Sequence, residues 1–359
     1  MRNQSGVVPP GPRGRRPWGP RAAVAFREHG VLIIWIALVL FFWAWSGSAF
    51  FSLDNARLVA NAAATTAIFG AALGFCVLAG SLDLSVPGTA AVAGVICGKL
   101  LADHHPVWIA LTAGLAVGIA VGVANGLLIQ FGLNPLATTI GTLTALGGTA
   151  SLISGNVPVQ LGVPSQLSWL GLDRFWTIPA PVFTVAVIYL LGWLLLTQTF
   201  IGVRLLAVGG NADGARRIGL RTPVYKLLGF VLSGVCAAIG GMVVASVISQ
   251  ANSTPDTQQL FQALTAVALS GMALSGGRGS FPRILVGALI IATVNSGLII
   301  HGLPPSWATF ATGGLLICAL AFDRATGHLL AAAGAPRRRH PATPSARSLQ
   351  RAGRQSGET

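Results

Sequence analysis

Ten stretches of mainly apolar residues are the strongest constraint on how this chain folds. They lie at roughly 30–49, 57–79, 86–102, 107–131, 136–155, 178–199, 226–248, 259–275, 283–301 and 306–322. A helix that crosses the hydrocarbon core of a bilayer needs about 20 such residues. Backbone that enters lipid must also satisfy its own hydrogen bonds, which a helix does internally. The chain therefore reads as an all-α integral membrane protein of about ten transmembrane helices. Composition agrees: 9% of the residues are charged and 53% hydrophobic, whereas soluble domains carry about 25% charged residues. Glycine and alanine are frequent inside the spans, and Gly114, Gly118 and Gly122 form a ladder on one face of the fourth. Small residues at this spacing let helices pack closely in lipid.

The formal net charge is +14, but the basic residues do not cluster with stacking aromatics as in a nucleic-acid-binding face. They follow the topology instead. Ten spans return both termini to one side, and with that side cytoplasmic, 20 of the 23 Lys and Arg residues fall there. Only Arg57, Lys99 and Arg174 fall outside, as the bias toward cytoplasmic cations predicts. Residues 1–28, rich in Pro, Gly and Arg, and residues 323–359, with Arg337-Arg338-Arg339, read as disordered cytoplasmic tails around a membrane domain at 29–322. The basic C-terminal tail is placed to meet anionic headgroups. A cleaved signal peptide is the rival for the start, but the run from Val31 to Trp45 is long and Trp-rich, suiting a retained anchor. Cys76, Cys97, Cys236 and Cys318 all fall in apolar segments and read as free buried thiols.

The chain also repeats itself. Asn125–Pro135 (NGLLIQFGLNP) and Asn295–Pro305 (NSGLIIHGLPP) agree at six of eleven positions at an offset of 170. The same offset maps the second span onto the seventh and the third onto the eighth. The ninth span runs opposite to the fourth, so the halves read as inverted repeats of five helices, a recurring plan for transporters.

Few residues bear chemistry. Gly80-Ser81-Leu82-Asp83-Leu84-Ser85 joins the second and third spans, with Pro87 at the start of the third. Asp83 reads either as an ion-coupling carboxylate or as a helix-start residue that satisfies amides at the positive end of the third helix. Its place at a helix start favours the second reading, with Ser85 as the cap. Asn61, Thr65, Thr66, Asn125, Thr138, Thr139, Thr142, Thr144 and Asn295 are polar residues within spans. They must face helices, water or a solute; interhelical hydrogen bonds account for most, and Asn61, Thr65, Asn125, Thr138, Thr139, Thr142 and Asn295 are candidates to line a path for a polyhydroxyl solute. His104 and His105 have no further ligands near them in sequence and read as a solvated turn rather than a metal site. The segment from Pro158 to Trp176 is too broken for a span and reads as an interfacial loop with a short helix. No buried pair of opposite charges suggests ion coupling, no nucleophile–base set suggests an enzyme, and Gly276-Gly277-Arg278-Gly279-Ser280 lacks the lysine of a phosphate loop. ATP hydrolysis, if used, belongs to another polypeptide.

Phe200–Lys226 (FIGVRLLAVGGNADGARRIGLRTPVYK) interrupts this apolar pattern with five basic residues, Arg204, Arg216, Arg217, Arg221 and Lys226, and one acid, Asp213. Between two spans on the cytoplasmic side, such a segment is a handle for a soluble partner.

Four stretches carry a resemblance. Gly80–Ser85 is similar to G-G-I-D-L-S-V-G, with Ser81, Leu82 and Pro87 varied. Asn125–Leu143 is similar to N-G-L followed by P-x-F-I-x-T-L-G-T, with Leu136 in place of Phe. Ala207–Leu220 is similar to A-I-G-G-N-x-x-A-A-R-L-S-G-I, departing at Gly214 and Arg217. Ser270–Ser280 is similar to G-G-x-S-L-S-G-G-x-G-S, departing at Met272. Together they resemble the membrane permease subunit of bacterial ABC sugar importers, the ribose, xylose, arabinose and autoinducer-2 group. The resemblance covers residues 50–322 or so and is specific for the permease, not for the sugar. It implies a bacterial plasma-membrane protein working by alternating access with a cytoplasmic ABC ATPase that holds ATP and Mg, an extracytoplasmic solute-binding protein, and a second permease copy or paralogue. Phe200–Lys226 becomes the coupling segment, with Gly209, Gly210, Asn211, Ala212, Ala215, Arg216, Arg217 and Gly219 as its contact residues; Asn211 is expected to cap a short helix over Ala212–Arg217. The rivals are a permease for branched-chain amino acids or nucleosides in a similar system, and a secondary carrier working without a motor.

Overall fold

The computed structural model describes residues 19–161, 166–274 and 276–334. Thirteen α-helices and four two-residue strands appear among them. They are, in order, α1 (Gly19–Ser46), α2 (Leu53–Leu78), α3 (Val86–Ala102), α4 (Val107–Gln130), α5 (Pro135–Ser154), β1 (Val159–Gln160), α6 (Ser168–Gly171), β2 (Arg174–Phe175), β3 (Ile178–Pro179), α7 (Ala180–Gln198), α8 (Phe200–Gly210), α9 (Ala212–Arg217), α10 (Thr222–Val247), β4 (Gln250–Ala251), α11 (Thr257–Leu269), α12 (Arg283–Ile300) and α13 (Pro305–Gly334). A helix covers each of the ten apolar segments. Eight of them are long and apolar enough to cross a membrane, whereas α3 has 17 residues and α11 only 13. At about 1.5 Å per residue, α11 reaches roughly 20 Å, well short of a hydrocarbon core of about 30 Å.

Local chemistry sets several helix starts. Ser52 Oγ accepts from the Asn55 amide to begin α2, and Thr199 Oγ1 accepts from Gly202 to begin α8. Asn134 Oδ1 accepts from the Leu136 amide at 2.9 Å, with Pro135 as the first residue of α5; proline suits this position because its missing N–H would have no partner there. Both terminal helices run further than the apolar segments, α1 starting at Gly19 and α13 continuing to Gly334, into stretches expected to be unstructured tails. Ala-rich sequence on both sides explains the extension, since alanine has the highest helix propensity. Residues 1–18 and 335–359, including Arg337–Arg339, lie outside the described residues. The part of α13 from Leu320 onward belongs to a separate unit spanning 320–359.

The core is organised on α2 and α10. α10 packs on α2, α3 and α4, while α2 also packs on α7, α11 and α12. The glycine ladder of α4 explains the tightest of these crossings. Gly118 faces Gly234 of α10, and Gly122 faces the backbone of Phe230 and Val231, so that a Cβ at any of these glycines would strike main-chain atoms. Backbone-on-backbone packing of this kind is what small residues at i and i+4 allow. At the 170-residue offset Pro135 opens α5 and Pro305 opens α13, and α2 and α10 each have 26 residues. Packing follows the same pairing, α3 on α10 and α11 on α2, α4 on α10 and α12 on α2.

Two small ladders, invisible to hydropathy, tie the links at the other end of the bundle from Asp83. Val159 pairs with Ala251 and Gln160 with Gln250, while Arg174 pairs with Pro179 and Phe175 with Ile178. The expected short helix between the fifth and sixth spans is α6, seated on α10 where Ser246 Oγ donates to the Leu167 carbonyl at 2.6 Å.

Candidate functional site

Three features are built from these elements: a helical arm, a glycine junction that the arm meets, and a cleft beside the two short helices.

The basic stretch is a helical arm. α8 runs from Phe200 to Gly210, and Asn211 ends it and starts α9, its Oδ1 accepting from the Gly214 amide at 2.8 Å. Ala215 is buried beneath α9, and Gly219, at φ +83°, lets the chain turn out of it. A side chain would be strained at that angle. Arg216 and Arg217 project outward, Arg216 lying 3.7 Å from Asp213 with both side chains largely exposed. An ion pair this solvated contributes less than about 1 kcal/mol, so these charges are free to meet a partner. Beside them Ile218 is 75% exposed; hydropathy did not single it out because it is one apolar residue in a polar run. Arg204 Nη1 donates to the Tyr225 hydroxyl at 3.3 Å, tying α8 to α10.

The arm meets the bundle through glycines. Gly209 lies against the Leu78 carbonyl and Gly277, and Gly276 lies against both Gly80 and Gly209. Three links, the one before α3, the one between α8 and α9, and the one between α11 and α12, thus touch backbone to backbone. Three of the four sequence stretches singled out above converge here. A side chain at Gly209 or Gly277 would drive main chains apart.

Next to this junction sits a buried polar network. Asp83 Oδ1 accepts from the Ser85 amide at 3.0 Å and the Ser85 hydroxyl at 2.5 Å, while Oδ2 accepts from Ser233 of α10 at 2.8 Å. Asn125 of α4 donates from Nδ2 to Ser85 Oγ at 2.8 Å, and Thr142 of α5 donates to Asn125 Oδ1 at 2.7 Å. Burial pushes the Asp83 carboxyl above the usual carboxylate range, while the bonds from Ser85 and Ser233 pull it back. Asp83 stands at the start of α3 with its carboxylate on the Ser85 amide. The expected Ser85 cap is not made: its backbone is already right-handed helical (φ −77°, ψ −7°) rather than extended, and its Oγ accepts from Asn125 instead.

The proposed path residues divide. Thr65, Thr138 and Thr139 return their hydroxyls to carbonyls of their own helices, Asn125 and Thr142 serve the network, and Asn61 and Asn295 each keep a buried Oδ1 without a partner. Thr66 is buried and Thr144 bonds the Ile140 carbonyl. None of them lines the cleft between α3, the end of α10 and the start of α11, which spans about 540 Å³ when the open solvent at its mouth is counted. Phe69, Val86, Ala90 and Val244 form apolar wall, and Gln250, Asn252, Thr254, Asp256 and Gln259 supply polar groups. Asp256 Oδ1 also accepts from the Gln259 amide at 3.1 Å to cap α11, and Gln160 Nε2 donates to Gln250 Oε1 at 3.2 Å. An apolar wall with a few polar groups, here four neutral ones and the Asp256 carboxylate, is the usual make-up of a small-molecule site. Nothing in the sequence marks these residues: Gln250, Asn252, Thr254 and Asp256 fall between the apolar segments 226–248 and 259–275, and Gln259 opens the second of them. The available signal was a pair of unusually short helices at corresponding positions of the two halves, which points to a transporter binding site. Among the described residues no group of three or more His, Cys, Asp or Glu side chains is placed to hold a metal ion.

Comparison with known proteins gives one consistent result. The family described as branched-chain amino acid transport system / permease component matches residues 55–320. The galactofuranose transporter permease protein YtfT of Escherichia coli (strain K12) is 33% identical over 264 residues, 73% of this chain and 77% of that protein. The D-allose transport system permease protein AlsC of the same organism is 30% identical over 84% of this chain and 93% of its own length. The ribose import permease protein RbsC of Bacillus subtilis (strain 168) is 34% identical over 70% of this chain and 78% of its own. No solved structure matches the chain at a significant level.

Proposed function

Because this chain belongs to the branched-chain amino acid transport system / permease component family, we propose that it is the permease subunit of an ATP-driven importer for a monosaccharide or a closely related polyhydroxyl solute. The cleft carries this reading. Five hydrogen-bonding side chains converge over an apolar wall, and no Lys or Arg lines it. A free amino acid would call for a cation beside its carboxylate; Asp256 offers an acceptor for an ammonium group, but no Lys or Arg among the described residues lines the cleft, so it favours a polyol over a zwitterion. The names of the relatives point the same way, to galactofuranose, allose, ribose and arabinose.

The mechanism follows from these three features. A cytoplasmic ABC ATPase, holding ATP and Mg, grips the arm through Arg216, Arg217 and Ile218. The Gly209–Gly210 end of the arm bears on the links beside α3 and α11, so a push on the arm reaches the two short helices that flank the cleft. Alternating access then exposes the cleft to each side in turn. An extracytoplasmic solute-binding protein delivers the sugar, and a second copy of the chain or a paralogue completes the permease. The protein sits in the bacterial plasma membrane among lipids with both termini cytoplasmic, the orientation that places most basic residues inside, and the matched helix pairings support its inverted repeats.

Reconstitution with the ATPase and binding protein in proteoliposomes tests this. Labelled pentoses and hexoses should accumulate only with ATP inside reach of the ATPase, and Asn252→Ala should lower uptake at least fivefold. Accumulation of leucine in place of sugar, or sugar flux with the ATPase absent, would refute it.

A further inference from the structure

The two halves of the chain are packed differently at one place. In the first half α5 lies tightly on α3: a Cβ placed on Gly88 would stand 3.0 Å from Leu146 Cβ and 3.1 Å from the Leu143 carbonyl. The residues 170 positions on are Gln258, Leu316 and Gly313. These three do not meet closely; with Phe261 and Thr312 they line a gap between α11 and α13 of about 650 Å³, open at its mouth. Nothing lies within 4 Å of where a Gly313 Cβ would be.

The hydrogen bonding differs in the same sense. In the first half Thr142 Oγ1 donates to Asn125 Oδ1 at 2.7 Å, with the Thr138 carbonyl of its own helix a second acceptor at 3.0 Å. Their counterparts at the same offset are Thr312 and Asn295. Here Thr312 donates only to the Ala308 carbonyl of its own helix, at 2.9 Å, and Asn295 Oδ1 is buried with no partner. A buried acceptor left unpaired costs about 1–3 kcal/mol, so the second half stores a bond that it does not make in this conformation. A packed interface has discrete arrangements rather than a continuum.

We propose that α13 closes onto α11 in a second state of the transporter, filling the gap as α5 fills its counterpart, with the Thr312 hydroxyl passing from the Ala308 carbonyl to Asn295 Oδ1. The open second half and the closed first half are one conformation of a pair, and the closure is part of the transport cycle. This rests on the reading of the chain as a motor-driven permease with inverted repeats.

Cross-linking in the reconstituted complex tests it. Closure brings the Cβ atoms at 258 and 316 to the separation that a disulfide requires, about 3.5–4.5 Å. Gln258→Cys with Leu316→Cys should form an intramolecular bond under mild oxidation at least tenfold faster in one nucleotide state (nucleotide-free, ATP-bound or vanadate-trapped) than in another. Uptake should stop when the bond forms and resume on reduction. Equal rates in all states, no bond in any state while uptake proceeds, or a bond only between two copies would overturn the proposal. A nucleotide-dependent bond in a complex that carries no sugar would overturn the substrate reading and leave the closure standing. If the paired variant fails to assemble, Thr312→Val and Asn295→Leu decide: each should lower turnover about fivefold, as expected for one hydrogen bond, and the double variant should be no worse than either single. Independent, multiplying effects would contradict the shared bond.

Discussion

The α3–α5 contact and the α11–α13 gap are built from corresponding residues, yet one is packed and the other open. In the first, Gly88 admits Leu143 and Leu146, and Thr142 bonds Asn125. In the second, Gln258 faces a space in front of Gly313 and Leu316, and Asn295 is unpaired. The comparison separates residues that hold the bundle together from residues that let it move. Contacts around α10 are of the first kind, since glycine meets glycine across α4 and α10 with no room to slide. The faces of α5 and α13 that carry Gly148 and Gly314 have nothing within 4 Å of a would-be Cβ.

The largest expected effect tests the rigid part. Gly118→Leu should abolish accumulation of folded protein, because its side chain would have to displace the Gly234 backbone; Gly148→Leu should leave yield and detergent melting temperature near wild type. Comparable losses from both would erase the distinction. Next in size is a paired substitution at the duplicated asparagines. Asn125→Ala strips partners from Ser85 and Thr142 and should destabilise by about 2–3 kcal/mol in detergent unfolding. Asn295→Ala removes a buried acceptor with no partner here and should leave stability unchanged or raise it, so a loss equal to that of Asn125→Ala would argue against the asymmetry. Gly313→Leu sharpens the comparison from the functional side. It should fill the gap, leave thermal unfolding unchanged and reduce uptake several-fold. The smallest effect belongs to the arm, where Arg216→Ala should change stability by no more than about 0.5 kcal/mol, given how exposed its pairing with Asp213 is.

Much of the fold could be read from the sequence because span length and apolarity are one-dimensional properties. The segments around Ile36, Ile119 or Leu190 declare themselves without any knowledge of their neighbours. Gly114, Gly118 and Gly122 likewise announced a close crossing, though not that Gly234 and Phe230 would be on the other side. The arm was legible as a polar interruption, and Asn211 as its cap, through local hydrogen-bonding chemistry. The cleft was not legible. Asn252 and Thr254 resemble ordinary link residues, and Gln259 the edge of a span, until β1 and β4 pair and α11 packs beside α3, which is a matter of tertiary contact. The in-span threonines return their hydroxyls to carbonyls about one turn back, a local bond that any helix offers and that the sequence alone could anticipate. Asp83 could be placed at a helix start, but its bond to Ser233, 150 residues away, could not.

ATP hydrolysis and sugar uptake, followed on the same proteoliposomes, test most directly whether a partner ATPase drives solute through this chain by way of the arm. With the native sequence, uptake should require ATP and rise with hydrolysis. With Arg216→Glu, the permease should still insert, hydrolysis should no longer respond to the loaded binding protein, and uptake should fall at least tenfold. Sugar uptake by the Arg216→Glu complex at the native rate would remove that residue from the coupling contact, and uptake by the native chain with no ATPase present would contradict the motor-driven mechanism itself.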